Sequence, residues 1–219
     1  MRIPSSASDL PDTLPLFPLS GALLLPRTHR PLNVFEPRFV RMIDDALGRN
    51  RLIGLIQPQN AEEEAPKGNF PLEPVGCIGR ITHFEEQAEE RYLIVLEGLA
   101  RFRFLGDAET DTPYRVARID AAPFASDFMP GLGAEAVDRE ALIAMIRDYA
   151  EFADFRVDMD EIARTGTEEL VNLSAMLTPY GPREKQALLE AKTLSDRAET
   201  LIALAEIEMA RAGPGAVLQ

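Results

Sequence analysis

The sequence predicts an α+β fold, with a β-rich N-terminal part followed by an α-helical part. Eleven of the seventeen prolines precede residue 75, among short runs of Val, Ile, Leu and Phe, and this mixture is typical of short strands joined by loops. Beyond residue 133 the apolar residues instead recur at helical spacing. Because 46% of the 219 residues are hydrophobic, the chain can bury a core of its own.

Seven strands are predicted in the N-terminal part, each apolar and bounded by turn residues. They are Thr13 to Phe17, Pro31 to Phe35, Arg51 to Ile56, Pro74 to Glu85, Arg91 to Glu97, Ala100 to Leu105 and Tyr114 to Ala121. The acidic run 85–90 predicts a solvated hairpin tip, because charge resists edge pairing. Residues 57–71 lack periodicity and are expected to form a long exposed loop.

Helices are predicted at two places. One begins at Pro37, because a first helical residue needs no amide hydrogen, and Gly48 is expected to end it. After residue 133, three apolar stripes predict a bundle of four or five helices in which each stripe packs against a neighbour. The stripes are Leu142, Met145, Ile146, Tyr149 and Ala153; Leu170, Leu173 and Leu177; and Ala198, Leu201, Ile202, Ala205 and Met209.

The change from strands to helices sets the expected domain boundaries. A flexible N-terminus at 1–12 precedes a β-rich subdomain at 13–122. A linker at 123–133 contains Gly and Pro, and the helical bundle at 134–212 and a tail at 213–219 follow it.

Charge and hydropathy exclude several partners. The net charge is −13, and both parts are acidic, with 14 basic against 18 acidic residues up to 122 and 9 against 18 after it. Nucleic acid is therefore not expected as a partner, since phosphate backbones are bound by Lys and Arg clusters. No apolar run approaches the roughly 20 residues of a membrane span. The first residues lack the apolar core of a signal peptide, so a cytoplasmic location is expected.

Few residues offer catalytic or metal-binding chemistry. Cys77 is the single cysteine and lies in an apolar strand pattern, so we expect a buried small hydrophobe. His29 and His83 come from different segments, and neither is expected to bind a metal or to act in catalysis. No metal and no cofactor are predicted.

Motifs of common enzyme classes are missing from the sequence. No Gly-Lys pair exists for a phosphate-binding loop, and no Gly-x-Ser-x-Gly motif is present. A Ser-Lys dyad would need a desolvated lysine. Lys67 lies in the acidic loop, and Lys185 and Lys192 are expected among charged neighbours on one amphipathic helix. No catalytic residue is predicted, and the chain is not expected to be an enzyme.

Five sequence blocks resemble, in order and spacing, the substrate-binding N-terminal domain family of Lon proteases. They are residues 14–19 (LPLFPL), 31–39 (PLNVFEPRF), 75–81 (VGCIGRI), 91–103 (RYLIVLEGLARFR) and 184–190 (EKQALLE), the last followed by Arg197. The resemblance is to a stand-alone bacterial-type member that lacks the ATPase and peptidase domains. It implies a PUA-like β pseudo-barrel with one inserted helix, followed by a C-terminal α-helical bundle.

The same resemblance implies a function. It predicts a non-catalytic protein-recognition module, related to proteolysis, that binds unfolded or exposed apolar polypeptide segments. The expected partners are such segments or a protease or chaperone, with no nucleic acid, no membrane and at most a weak homo-oligomer. Two alternatives stay open, which are a stand-alone hydrolase of unrecognised mechanism and a PUA-like RNA-binding protein.

The motif residues themselves allow two interpretations. In the structural one, Glu36, Arg38, Glu97 and Arg101 fix strand-to-helix turns by ion pairs, while Gly98 supplies a bulge and Pro37 starts the helix. In the binding one, a peptide groove is lined by Phe35, Arg38, Tyr92 and Arg101, because aromatic and arginine side chains are frequent anchors in interfaces. An exposed edge strand could add main-chain pairing.

Overall fold

The computed structural model describes residues 4–59, 70–88 and 91–212. Internal contacts divide the chain into two compact units. The first, here called the barrel unit, comprises Met1–Met129 and Tyr180–Leu189, and the second, the helical unit, comprises Pro130–Pro179 and Glu190–Gln219. The domain boundaries expected from the sequence stay a prediction.

Six strands and one inserted helix form most of the barrel unit. They are β1 (Thr13–Pro18), β2 (His29–Val34), α1 (Pro37–Leu47), β3 (Leu52–Ile56), β4 (Val75–Gln87), β5 (Arg91–Asp107) and β6 (Val116–Asp120). The strand order is β2-β5-β4-β3-β1-β6, and an additional β5–β6 pairing closes five of the strands into a barrel, with β2 added to β5. Only the β1–β3 pairing is parallel among the pairings of the described strands. The predicted α+β class, the barrel and the inserted helix are confirmed.

The barrel interior is filled by inward-facing apolar side chains around Phe102, which is fully buried. Two glycines make room for this ring, because a Cβ at Gly76 would lie 2.5 Å from Phe102 Cζ and one at Gly54 would lie 3.0 Å from it. The other buried members of the cluster come from several strands and their connections. They are Leu14, Leu16, Leu52, Ile56, Leu72, Ile78, Ala117, Ile119 and Ala121.

The inserted helix α1 begins and ends where the sequence predicts. Pro37 occupies the first turn, and the helix stops before Gly48. Gly48 is nevertheless right-handed, with φ of −73°. The left-handed position falls instead on Arg51, with φ of 60°, whose amide donates to the carbonyl of Ala46 at 2.9 Å. The helix buries Phe39, Met42, Ile43 and Ala46.

Two expectations for the barrel unit are wrong in detail. The two strands predicted at 91–97 and 100–105 are one strand, because a register shift opposite Ile78 and Gly79 absorbs the break as a bulge. The loop expected to be exposed from residue 57 begins with a buried side chain, since the Gln57 amide nitrogen donates to the Pro182 carbonyl and to Gln186 Oε1, each at 3.0 Å. Residues 60–69 of that loop and 89–90 of the acidic run lie outside the described residues.

Five α-helices follow in the described chain. They are α2 (Arg139–Phe152), α3 (Met159–Arg164), α4 (Thr167–Leu177), α5 (Pro182–Glu190) and α6 (Leu194–Ala212). α5 belongs to the barrel unit except for its last residue, and the other four belong to the helical unit. Asp138 and Asp158 cap α2 and α3 by accepting hydrogen bonds from main-chain amides of the first turn. None of the helices in the described chain is both long and apolar enough to cross a membrane.

Most members of the predicted stripes are buried on α2 and α6, although Ala153 is exposed and lies just beyond α2, and the stripe predicted on α4 does not hold. Leu142, Met145 and Tyr149 of α2 are buried, as are Ala198, Leu201 and Ala205 of α6. On α4 the buried set is Leu170, Val171, Asn172, Ala175 and Met176. Leu177 is 78% exposed, so the expectation that the third member of this stripe packs against a neighbour is wrong. α4 is apolar on nearly all sides, and its sequence therefore contains two overlapping stripes.

Candidate functional site

Phe35 and Tyr92, two of the four peptide-binding residues predicted from the sequence, lie on or beside one part of the sheet, here called the distal ribbon. It consists of β2 with the adjoining Phe35, residues 91–97 of β5 and residues 82–87 of β4, with β5 in the middle. β3 pairs with β4 only between Cys77 and Arg80. Beyond Arg80, β4 pairs only with β5 among the described strands, and residues 82–87 are all exposed. Within the described residues, the outer edge of this segment is therefore uncovered.

An aromatic pair lies on the distal ribbon. The rings of Phe84 and Tyr92 meet edge to face, with centroids 4.8 Å apart. The Tyr92 hydroxyl donates to Asp44 Oδ1 of α1 at 3.0 Å, which holds the Tyr92 ring in place. Phe84, which is 36% exposed, was not predicted as a site residue, although an aromatic residue beside an acidic turn could have indicated it.

Phe35 and Arg38 lie where β2 turns into α1. Phe35 is 65% exposed and follows Val34, which pairs with Tyr92. Arg38 forms an ion pair with Glu36, with Nη2 2.7 Å from Oε2, and its guanidinium lies 4.6 Å from the centre of the Phe39 ring. The Glu36 pair and the Pro37 start agree with the structural interpretation of the motif.

Arg101 lies apart from these residues, nine positions after Tyr92 on β5. Its side chain is 5% exposed. Nε donates to Asp127 Oδ2 at 2.9 Å, Nη2 donates to Asp127 Oδ1 at 2.8 Å, and Nη1 donates to the Leu189 carbonyl at 3.1 Å. Such a side chain offers little surface to an extended peptide, and its contacts match the structural interpretation. Sequence reasoning missed Asp127, because a lone acid in a predicted linker carries no signal.

Glu97 and Gly98 lie on β5 where the distal ribbon joins the barrel. Glu97 Oε2 lies 3.8 Å from Arg80 Nη1 on the neighbouring strand. Gly98 exchanges main-chain hydrogen bonds with the segment before β2, donating to the Thr28 carbonyl at 2.9 Å and accepting from the Arg27 amide at 2.7 Å. A Cβ at this position would overlap the carbonyl oxygen of Leu25. Glycine is thus required by close approach of two backbones.

Lys185 departs from the sequence expectation. It is 3% exposed, whereas the amphipathic pattern predicted charged neighbours at the surface. Burial, followed by the nearby charge of Arg30, lowers its pKa to about 8. The prediction for Lys185 is therefore wrong, because α5 turns this side toward the barrel unit and not toward solvent.

The described part of the chain has no group of three or more His, Cys, Asp or Glu side chains that could hold a metal ion. His83 is exposed within β4, with Nε2 3.9 Å from Glu85 Oε2. His29 is an exposed first residue of β2. Cys77 is buried, as predicted.

Solved structures share this fold. The crystal structure of a Lon N-terminal domain protein from Xanthomonas campestris covers 87% of this chain with a TM-score of 0.57 and 23% sequence identity. The N-terminal domain of the Lon protease of Mycobacterium avium complex covers 89% of it with a TM-score of 0.61 and 19% identity. The match takes in 97% and 98% of those two chains.

Sequence comparisons identify the family. The model of the substrate-binding domain of ATP-dependent protease La (LON) matches residues 13–206. Lon protease 2 of Myxococcus xanthus is 31% identical over 206 residues, and Lon protease of Anaeromyxobacter dehalogenans is 30% identical over 206 residues. Each alignment takes in 90% of this chain, but only 24% and 23% of the respective relatives.

The chain belongs to the LON substrate-binding domain family, which confirms the resemblance seen in the sequence blocks. It spans about a quarter of the length of the relatives that it matches. What it shares with them is the part that the family model describes as substrate-binding.

Proposed function

We propose that the protein is a non-catalytic recognition module that binds exposed apolar segments of other polypeptides at the distal ribbon. The observation that carries this proposal is the exposure of large aromatic side chains there, with Phe35 65% exposed and Phe84 packed edge to face on Tyr92. Aromatic side chains supply much of the binding energy in protein interfaces because they bury a large area with few rotatable bonds. Membership in a substrate-binding family supports the same function.

The open edge of β4 adds a second means of binding. An extended segment could pair with the main chain of residues 82–87, which have no strand beyond them among the described residues. Main-chain pairing is independent of sequence, and the aromatic rings would then select segments with apolar side chains. Glu85 and Glu86 on this edge disfavour pairing with a second copy of the same strand.

Arg38 is part of the proposed site and Arg101 is not. Glu36 engages Nε and Nη2 of Arg38, and within the described residues Nη1 has no hydrogen-bond partner. This nitrogen can donate to a peptide carbonyl near Phe35. Arg101 instead uses its donors inside the barrel unit.

The test is binding of a fluorescein-labelled, 15-residue unstructured peptide with three aromatic residues, followed by fluorescence anisotropy. Phe35→Ala combined with Phe84→Ala is expected to weaken binding about tenfold or more, since each anchor contributes about 1 kcal/mol or more. Leu105→Ala is the matched control, because Leu105 is an exposed apolar residue of β5 outside the distal ribbon. Equal weakening by the control, or no binding by the unchanged protein at 500 μM, would rule out the proposed site.

The biological partner follows from the same proposal. A protease or a chaperone that acts on the captured segment fits a module that binds polypeptide without cleaving it. The Lon proteases that match this chain are about four times its length, so their activity is proposed for a partner and not for this domain. The cytoplasmic location stays a prediction.

A further inference from the structure

The helical unit contains an apolar groove that takes no part in the distal ribbon. It lies between α2, α3 and α4, has a volume of about 680 Å³, and is lined only by residues of that unit. Ile146, Phe155, Leu173 and Leu177 are among its apolar walls. Leu177 is the most exposed large apolar residue in the described chain, which leaves an apolar side chain unpartnered at the rim. Exposed apolar surface of this kind marks interaction sites.

The charged side chains on the groove wall are both acidic, Asp158 and Glu161. Asp158 Oδ1 accepts hydrogen bonds from the amides of Asp160 and Glu161 at 2.9 and 3.1 Å. Asp158 Oδ2 and the Glu161 carboxylate have no hydrogen-bond or ion-pair partner among the described residues. Across 130–179 and 190–212 the sequence has 16 acidic and 7 basic residues, so the surrounding field is also negative.

The arginine packed against α3 does not neutralise this rim. Arg139 donates to the carbonyls of Ile162, Ala163 and Thr165 at 3.1, 3.1 and 2.8 Å, and to Thr167 Oγ1 at 3.2 Å. Its guanidinium therefore satisfies the carbonyls at the end of α3. A cationic ligand would meet the two acidic side chains without competition from it.

The walls of the groove favour a helical ligand over an extended one. All described elements of the helical unit are helices, whose backbone groups are already paired, so an extended chain would find no strand edge there. An extended chain on apolar walls would leave its own backbone groups without water or partner, at a cost of about 1–3 kcal/mol each. A helix satisfies its backbone internally and presents apolar side chains at i, i+3, i+4 and i+7 to a groove.

We propose that this groove docks a basic amphipathic helix of a partner protein, with apolar residues on one face and Lys or Arg beside them. The apolar face would cover Leu177 and Phe155, and the cations would meet Asp158 and Glu161. This site is separate from the distal ribbon and does not rest on the function proposed for it. A recruiting partner could thus be held at one unit while a polypeptide segment binds at the other.

Three fluorescein-labelled 18-residue peptides test the class of ligand by fluorescence anisotropy on the full chain. The first carries leucines at helical spacing with flanking lysines, the second replaces the lysines with glutamates, and the third has the first composition interrupted by two prolines. The first is expected to bind at least tenfold more tightly than the other two. Raising the salt from 50 to 500 mM is expected to weaken its binding several-fold, because screening acts on the charge contacts.

Variants at exposed positions locate the site without threatening the fold. Leu177→Asp is expected to weaken binding of the lysine peptide at least tenfold, while Ile207→Asp, an equally drastic change at an exposed residue of α6 outside the groove, changes it less than twofold. Glu161→Gln is expected to weaken binding two- to fivefold and to reduce its salt dependence. Glu206→Gln, also exposed on α6, is the charge control. Phe155→Ala provides a second apolar variant, and circular dichroism confirms that each variant is folded.

The proposal is overturned if the glutamate or the proline peptide binds as tightly as the lysine peptide. It is also overturned if Leu177→Asp and Ile207→Asp have equal effects, or if no binding is seen at 500 μM. The Phe35→Ala, Phe84→Ala double variant is expected to bind the lysine peptide normally. Failure at the groove and failure at the distal ribbon are therefore distinguishable in the same set of proteins.

Discussion

Arg101 and Asp127 form a buried two-point ion pair, in which Nη2 lies 2.8 Å from Oδ1 and Nε lies 2.9 Å from Oδ2. The Arg101 amide also donates to Asp127 Oδ2 at 2.9 Å. The pair joins the middle of β5 to the 3₁₀ helix Ala122–Phe128, and Arg101 reaches onward to the Leu189 carbonyl of α5. One side chain thereby connects three segments that are distant in the sequence.

Removal of one partner of this pair is expected to destabilise the protein strongly. Asp127→Ala leaves a buried guanidinium without its counter-charge, and such a change costs about 3–5 kcal/mol. The measurement is urea unfolding at pH 7 followed by circular dichroism. Arg101→Met combined with Asp127→Leu should lose less than Asp127→Ala alone, because no unpaired charge remains. A double variant as unstable as the single one would show that the pair does not act as a unit.

Gly98 is expected to tolerate no side chain. In Gly98→Ala the new Cβ would overlap the Leu25 carbonyl oxygen, which belongs to the backbone and cannot rotate away. The loss in unfolding free energy is expected to be about 3 kcal/mol or more, at or above the upper end for overpacking. Gly48→Ala is the control, since its Cβ would have its nearest neighbour at an ordinary 3.6 Å. Equal stability of the two variants would contradict the close approach.

Lys185 is expected to make stability depend on pH above 8. Its pKa is lowered to about 8 by burial and by the charge of Arg30, against 10.5 for an ordinary lysine. Between pH 8 and 10.5 the unfolded chain binds more protons than the folded one. The free energy of unfolding therefore rises as the pH is raised through this window. Below pH 8 the folded protein carries the full cost of the buried charge.

The test compares urea unfolding of the unchanged protein and Lys185→Met at several pH values. The free-energy difference, variant minus unchanged protein, is expected to fall steadily from pH 8 to 10.5. Lys192→Met, which removes an exposed lysine seven residues further on, separates burial from the loss of one positive charge. A difference for Lys185→Met that stays constant over this range would contradict a buried, charged lysine.

Local patterns predicted much of the fold. The Pro37 start and the Gly48 stop depend only on neighbouring residues, and α1 has the predicted bounds. The prediction of two strands in place of β5 was wrong because Gly98 is compatible both with a turn and with a bulge. Only the pairing with β4 selects the bulge. The exposure of Leu177 was missed because both overlapping stripes of α4 satisfy helical periodicity.

The candidate site was predictable to a smaller extent. Phe35 and Tyr92 were identified from motif blocks, and the structure places both on the distal ribbon. Arg101 lay in the same motif, but its burial depends on Asp127, which is 26 residues away and lies in a stretch without periodicity. Residues that recognise each other across such distances leave no spacing signal in a single sequence.

Tyr149 is expected to ionise only at high pH, and removal of the Glu208 charge is expected to lower its pKa. Burial, together with the hydrogen bond of 3.0 Å from its hydroxyl to Glu208 Oε2, raises its pKa to about 12. A phenol whose folded pKa is raised contributes stability that is fully present below pH 10 and is lost as the pH rises through 12. Ultraviolet difference titration near 295 nm reports phenolate formation directly.

The chain has four tyrosines, and burial also raises the pKa of Tyr114 to about 12, so two phenols are expected in a late titration step. Tyr149→Phe should remove one of those two, with a loss of about 1 kcal/mol in unfolding free energy at pH 7 from the missing hydrogen bond. Glu208→Gln keeps a hydrogen-bond acceptor but removes the negative charge, so it should shift one phenol of the late step to lower pH. If the phenol lost in Tyr149→Phe were one that titrates near pH 10, as an exposed phenol does, the buried hydroxyl and its bond to Glu208 would be wrong.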